Sequence, residues 1–265
     1  MLLAIDAGNT NITFAVFDGM DLRAEWRIAT DAGQRTADEY AVWLTQLMAL
    51  KGVRPESIDA AIICSVVPTV MFALNRLCHD YFNARPLVVG EAGCRLEIQV
   101  FAQGVGADRI VNAVGAHLIT RMPKIVIDFG TATTLDLVDG QGNYCGGIIA
   151  PGVNLNLDAL HRVSAMLPRI TADRPPDDRV IGTDTISAMR SGVYWGYVSM
   201  IEGLVARVNR EYGQPATVVA TGGLAPLFGG ATEAIQIVAG DLTMRGLREI
   251  YRRNSASETG ETKTE

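Results

Sequence analysis

The sequence contains no Gly-Lys dipeptide and therefore no Walker A loop, which sets the P-loop nucleotide enzymes aside. A GxSxG elbow, an HExxH helix and an EF-hand loop are missing as well, so none of those short catalytic or calcium signatures is present. The four cysteines (Cys64, Cys78, Cys94 and Cys145) form no CxxC pair and have no histidines at zinc-site spacing, so they are expected to be free core thiols in a reducing compartment. Long apolar runs are lacking: the longest, Ala60 to Leu74, is broken by Pro68 and too short to cross a bilayer. Neither a basic lead-in nor an extended apolar segment opens the chain, so a cytoplasmic protein without a membrane partner is expected. Positive charge is in deficit, with 23 Lys and Arg against 29 Asp and Glu. A net charge of −6 argues against a general nucleic-acid partner, whose binder carries a basic surface.

What is present describes a folded chain. With 265 residues, 48% hydrophobic and 20% charged, it is long enough for one large or two small cores. Strand-like and helix-like segments alternate. Leu2 to Asp6, Thr13 to Phe17, Leu22 to Ile28 and the nearly all-apolar Asp59 to Val67 read as strands, with shorter ones at Leu87 to Val89 and Glu97 to Val100. Thr36 and Glu39 form a capping box ahead of a helix through Leu50. Pro68 opens a helix to about Phe82, and further helices are expected at Asp108 to Arg121 and Asp184 to Glu211. In the last of these, Ile186, Met189, Val193, Tyr197, Ile201, Leu204 and Val208 make one apolar stripe. Gly192 and Gly196 on that helix admit a close neighbour, either the protein's own sheet or a second subunit. The class is α/β.

An internal repeat organises these elements. Leu3-Ala4-Ile5-Asp6-Ala7-Gly8-Asn9-Thr10, leading to Phe17-Asp18-Gly19, is echoed by Ile125-Val126-Ile127-Asp128-Phe129-Gly130-Thr131-Ala132, leading to Val138-Asp139-Gly140. Each copy is an apolar strand ending in Asp-x-Gly, then a second strand and an Asp-Gly turn. A duplicated domain with two halves across a cleft is the expectation. The division expected is 1–115 for the first half, 116–254 for the second half with the long helix, and a disordered tail at 255–265.

The Asp-x-Gly turns are where phosphate chemistry could sit. Glycine permits positive φ and lets backbone N–H groups approach phosphate oxygens. Asn9, Thr10, Asn11 and Thr13 add side-chain donors to the first turn, and Thr131, Thr133 and Thr134 to the second. Asp6 and Asp128 fall at the carboxyl ends of their strands, where α/β proteins place ligands. Facing carboxylates repel unless a cation lies between them, which predicts Mg²⁺, a monovalent ion, or both. The plain alternative is that each is only a tight turn. Thr221-Gly222-Gly223-Leu224, at a strand end, could pass beneath a purine. Gly106-Ala107-Asp108-Arg109 supplies an acid and a permanent cation at a helix start. Asp108 is either the acceptor for an alcohol proton or an N-cap, and Arg109 either pairs with it or clamps a substrate carboxylate. His79, His117 and His161 fall in helical patterns, as surface or core residues.

Taken in order, Asp6-Ala7-Gly8-Asn9-Thr10-Asn11, Gly106-Ala107-Asp108-Arg109-Ile110-Val111-Asn112, Asp128-Phe129-Gly130-Thr131-Ala132-Thr133-Thr134 and Gly146-Gly147-Ile148-Ile149-Ala150-Pro151-Gly152 resemble type III pantothenate kinase. Leu167-Pro168-Arg169, Ile181-Gly182-Thr183-Asp184-Thr185 and Ala220-Thr221-Gly222-Gly223-Leu224-Ala225-Pro226-Leu227 continue the resemblance over nearly the whole chain. It implies two duplicated ribonuclease H-like (actin-like ATPase) domains, each a mixed sheet flanked by helices. It implies a bacterial enzyme that makes 4′-phosphopantothenate from pantothenate and ATP, the first step of coenzyme A synthesis. Under it, Asp6, Ala7, Gly8, Asn9, Thr10, Asn11, Ile12, Thr13 and Thr131 contact ATP with Mg²⁺ on its phosphates, and Asp128 with Asp6 serves the metal site, including K⁺ or NH₄⁺. Gln99, Gly106, Ala107, Asp108, Arg109 and Thr185 contact pantothenate, with Asp108 as proton acceptor, in a homodimer. One stretch departs from the family pattern of a tyrosine followed shortly by proline: Gln99, or Val100 with one residue missing, stands at the tyrosine, and Ala102 replaces the proline. That departure motivates two other readings, a nucleotide-binding regulatory relative with a decayed acceptor site and a kinase for another small hydroxy acid.

Overall fold

The computed structural model describes residues 1–31, 34–163 and 167–258. The chain divides into two compact units. The first comprises Met1–Ile98, Gln103–Gly115 and the segment from Leu242, and the second Gln99–Ala102 and Ala116–Asp241.

The first unit is built on a five-stranded sheet in the order β3-β2-β1-β4-β5. Its strands are β1 (Leu2–Ala7), β2 (Asn11–Asp18), β3 (Asp21–Ala29), β4 (Ala60–Ser65) and β5 (Pro86–Val88). The first three run antiparallel through tight turns, and β4 and β5 lie parallel to β1. β1 and β4 are almost wholly buried, as an apolar strand covered on both faces must be. On one face Leu3, Ile5, Phe14 and Val16 pack against Tyr40, Leu44 and Met48 of α1 (Ala37–Leu50) and Leu74 and Leu77 of α2 (Met71–Phe82). The predicted capping box at Thr36 and Glu39 is present. A single 3₁₀ turn, Pro68–Val70, precedes α2.

The opposite face carries Leu2, Ala4, Ile62 and Cys64 against Val111 and Val114 of α3 (Ala107–Ile119) and Met244, Leu247 and Ile250 of α7 (Leu242–Glu258). The last helix therefore belongs with the first unit rather than the second half of the expected division. Its apolar residues complete the face of β1 and β4 that α1 and α2 leave uncovered. Ser255 to Glu258 continue α7 where a disordered tail was expected, and 259–265 lie outside the described residues.

The second unit repeats the design. Strands β6 (Lys124–Phe129), β7 (Ala132–Val138), β8 (Tyr144–Pro151), β9 (Thr217–Gly222) and β10 (Ile237–Val238) form a sheet in the order β10-β9-β6-β7-β8. Read from β8, this is the order of the first sheet, with antiparallel and parallel pairs in the same places. Ile125, Ile127 and Phe129 pack against α4 (Val153–Val163), α5 (Thr185–Tyr212) and α6 (Ala225–Gly229). Met189, Val193, Tyr197 and Ile201 of the expected α5 stripe are buried, whereas Ile186 is exposed. Gly192 and Gly196 are exposed, with open space where a side chain would stand, so they lie on the face of α5 turned away from its own sheet.

Four elements escaped the pattern: β8 is interrupted by Gly146-Gly147, α4 carries two asparagines in its first turns, and β10 and α7 were not expected. The predicted strand at Glu97 to Val100 is reduced to one parallel bridge between Val100 and Tyr144. The cysteines also differ from expectation, since Cys64 and Cys78 are buried while Cys94 and Cys145 are only half-buried. Lys124 opens β6 fully buried and donates to His117 Nδ1 and the Asp139 carbonyl, both at 3.1 Å. Burial pushes its ammonium down to about 8, so its charge opposes folding at neutral pH and that cost fades as pH rises above 8.

Helices α3 and α7 meet through glycines in the first unit. A Cβ at Gly115 would stand 2.5 Å from the Leu242 carbonyl oxygen, and one at Gly246 would collide with that of Val111. Both partners are backbone, so neither contact yields without moving a helix. Gly246→Ala is expected to cost about 1–3 kcal/mol, read as a lower urea midpoint at unchanged slope.

Candidate active site

The two acidic turns occupy equivalent places in their own sheets. Asp6 ends β1 beside Thr13 on β2 and Cys64 on β4. Asp128 ends β6 beside Thr134 on β7 and Thr221 on β9. Each turn is closed by its glycine amide, Gly8 N to the Asn11 carbonyl at 3.0 Å and Gly130 N to the Ala132 carbonyl at 3.1 Å. Asn9, Thr10 and Asn11 are exposed, whereas Ala7 and Ile12 point into the core and offer only main-chain groups. In the second turn Thr131 is exposed, but Thr133 is fully buried and Thr134 donates to Asp136 Oδ2 at 3.2 Å. Of the three threonines expected there as donors, Thr131 is the one directed outward.

In the first unit Asp6, Cys64 and Asp108 gather at one end of the β1–β4 pair. Asp108 is the second residue of α3, and its Oδ1 accepts from the Arg109 amide at 2.8 Å. A Cβ at Gly106 would lie 2.5 Å from Asp108 Oδ1, so a side chain there would displace that carboxylate. Burial pushes the Cys64 thiol well up, and the Asp6 and Asp108 carboxylates, with a hydrogen bond to Asp6, push it the same way. The neutral S–H thus becomes a donor to Asp6. Sequence reasoning treated Cys64 only as a core thiol; its place opposite Asp6 comes from a strand pairing that no local pattern marks.

In the second unit Asp128 sits in a recess walled by glycine. A Cβ at Gly222 would stand 2.5 Å from Asp128 Oδ1 and 2.7 Å from the Phe129 backbone, and Gly222 adopts φ +89°. The glycine pair read as space for a purine therefore serves Asp128 through Gly222, while Gly223 has open space beside it. Gly152, after β8, lies against the Thr131 carbonyl where any side chain would collide. Tyr197 of α5 donates to the Pro151 carbonyl just before it. Thr185 is the exposed first residue of α5, behind the N-cap Asp184. Gln99 has an exposed side chain, and its main chain is held by Asn143 Oδ1 and by the Tyr144 amide, each at 2.9 Å.

Among the described residues no group of three or more His, Cys, Asp or Glu side chains could cage a metal. A magnesium ion held by one or two carboxylates together with phosphate oxygens and water needs no such cage. Asp6 and Asp128, each in its own unit, present carboxylate oxygens, the donor type such an ion takes. Among the described residues no helix is long and apolar enough to cross a membrane.

The cysteines give a check on this burial. Iodoacetamide at pH 8, followed by mass mapping, is expected to label Cys94 and Cys145 while sparing Cys64 and Cys78, whose thiol burial pushes up to about 12 in the case of Cys78. Rapid labelling of Cys64 in the folded protein would contradict the packing described around Asp6.

Comparison with known proteins accords with the sequence and the sheets. The family model for type III pantothenate kinase matches residues 2–207. A type III pantothenate kinase of Rhodospirillum rubrum is 60% identical over 257 residues, covering 96% of this chain and 99% of that protein. One from Paramagnetospirillum magneticum is 57% identical over 263 residues, covering 98% and 100%. Among solved structures, a ROK hexokinase from Thermus thermophilus superposes with a TM-score of 0.51 at 14% identity, covering 96% of this chain and 99% of that one. That likeness shows the fold, two ribonuclease H-like halves of the actin-like ATPase type, as the duplicated sheet order requires. By the family match across most of its length, the chain belongs to the type III pantothenate kinases.

Proposed function

We propose that this protein transfers the γ-phosphoryl group of ATP to the 4′-hydroxyl of pantothenate, giving 4′-phosphopantothenate and ADP. The observation that carries the reading is the gathering of Asp6 and Asp108 around Cys64 in the first unit, which brings the acid of a glycine turn to the acid of a helix start. A phosphate donor and an alcohol acceptor need those two functions close together.

In this reading the turn from Asp6 to Thr13 binds the nucleotide phosphates, largely through main-chain N–H groups and the exposed Asn9, Thr10 and Asn11 side chains, and Thr131 adds a hydroxyl. Gly106, Ala107, Arg109, Gln99 and Thr185 bind pantothenate, with the Arg109 guanidinium on its carboxylate. The acceptor oxygen forms its bond to the γ-phosphorus as the bond to the bridging oxygen breaks, and ADP leaves. The hydroxyl proton passes to the Asp108 carboxylate, late in a loose transition state. Asp6 and Asp128 would hold Mg²⁺ on the phosphates and, at Asp128, K⁺ or NH₄⁺; such ions, when bound, neutralise the charge on the transferring group. The exposed Gly192 and Gly196 face of α5 supports assembly as a homodimer, in keeping with a cytoplasmic enzyme.

Purified protein given ATP, Mg²⁺, pantothenate and either KCl or NH₄Cl is expected to release ADP and form 4′-phosphopantothenate, detected by mass spectrometry. Asp108→Asn is expected to lower kcat by roughly 10²–10⁴-fold while keeping the thermal midpoint near that of the parent. Wild-type protein that forms no phosphorylated product with either cation would sink the assignment.

A further inference from the structure

The first glycine turn is held from outside as well as from within. Inside it, Gly8 N donates to the Asn11 carbonyl. Two further bonds reach it from Thr30, whose hydroxyl donates to the Gly8 carbonyl at 2.6 Å and whose amide donates to the Thr10 carbonyl at 2.9 Å. Thr30 is one residue beyond the β2–β3 ladder, which ends where Asn11 pairs with Ala29, so the chain leaves β3 directly across the turn. The same strand sends Arg27 Nε to Thr13 Oγ1 at 3.3 Å.

A trans peptide points its C=O and its N–H in opposite directions. Fixing the Gly8 carbonyl therefore fixes the direction of the Asn9 N–H, and fixing the Thr10 carbonyl does the same for the Asn11 N–H. Both carbonyls are drawn towards Thr30, so both amides are turned to the opposite side. The corresponding position in the second unit, immediately after β8, is Gly152, which lies against the Thr131 carbonyl without a side chain. The chain thus passes close to the acidic turn at the end of the third strand in each unit, and in the first unit it carries a hydroxyl that bonds the turn.

We propose that Thr30 is a positioning residue for the nucleotide: its hydroxyl and amide orient the Asn9 and Asn11 N–H groups of the first turn towards the phosphates. This rests on the reading above that the turn from Asp6 to Thr13 binds phosphate. A phosphate oxygen demands N–H groups aimed at it, so an unbraced turn binds the nucleotide less well without touching the acceptor site.

Thr30→Val keeps the shape, the β-branch and the amide bond to Thr10, and removes only the hydroxyl bond. It is expected to raise KM for ATP and the calorimetric Kd for ADP by roughly 3–10-fold, the worth of one hydrogen bond. KM for pantothenate is expected to stay within about twofold, and Thr30→Ser to restore nucleotide affinity to near the parent value. A structural defect alone would lower the thermal midpoint and raise both KM values together. Should the valine variant fail to fold, Thr30→Ala carries the same expectation. Unchanged nucleotide affinity in the valine variant, an equal rise in KM for pantothenate, or a serine variant as impaired as valine would overturn the proposal. Wild-type protein that binds ADP without turnover would count against the kinase reading while leaving the calorimetric comparison decisive for Thr30. Wild-type protein that binds no nucleotide would remove both.

Discussion

A parallel strand pair runs through the middle of each sheet, β1 with β4 and β6 with β9, and its register determines what stands beside each acidic turn. The central strand is buried from end to end except for its aspartate, so the carboxylate emerges where the strand stops. The neighbouring strand is in step with it, residue for residue, so its last positions stand alongside that carboxylate. The glycine that follows lets the chain reverse at once. Slipping either pair by one residue would turn the aspartate to the opposite face and a core aliphatic towards the site. The apolar packing that specifies the register thus also fixes the chemistry.

The duplication shared this frame between the two units and then let the surroundings diverge. Beside Asp6 the parallel strand supplies a thiol, Cys64, while beside Asp128 it supplies a hydroxyl, Thr221. Behind the first turn stands the Thr30 hydroxyl, and behind the second stands Gly152. Gly222, against Asp128, is matched by position in the first sheet to Ser65, the residue after Cys64. The first unit therefore sets a thiol beside its carboxylate, and the second sets a hydroxyl and a closely approaching glycine beside its own. A braced turn suits a ligand that must meet N–H groups at fixed angles.

Much of this was legible in the order of the residues, because strand ends, glycine turns and the repeat are local patterns. Asp6, Asp128 and Asp108 could be singled out by their place after apolar strands or at a helix start. The identity of what lies next to them could not. Cys64 meets Asp6 only through a strand pairing that spans the whole of α1, and Thr30 meets Gly8 only because β3 folds back over β2. No periodicity marks such contacts. The placement of α7 with the first unit was hidden for the same reason: its apolar stripe shows that it packs, but Gly115 and Gly246 decide against what. β8 and α4 were missed because local composition, paired glycines in one and asparagines in the other, worked against conformations that sheet pairing and burial impose.

The stretch that departs from the family pattern shows how far a sequence difference can go without disturbing the frame. Gln99 and Phe101 bond through their main chains to Tyr144, and Gln99 N also meets Asn143 Oδ1. Those anchors are themselves fixed. Tyr144 is buried and donates to Asp136 Oδ1 at 2.7 Å, and Asn143 donates to both oxygens of Asp139. Although burial pushes the Asp139 carboxyl up, the hydrogen bonds from Asn143, Gln141 and Gly142 outweigh it and hold the group below its ordinary range. It therefore stays ionised and keeps Asn143 aimed at neutral pH. The path of 99–101 is thus set by main-chain bonds and buried anchors, none of which depends on the Gln99 side chain. Whichever of Gln99 and Val100 stands at the tyrosine's place, an exchange there alters the side chain the stretch presents and leaves the course of the chain intact.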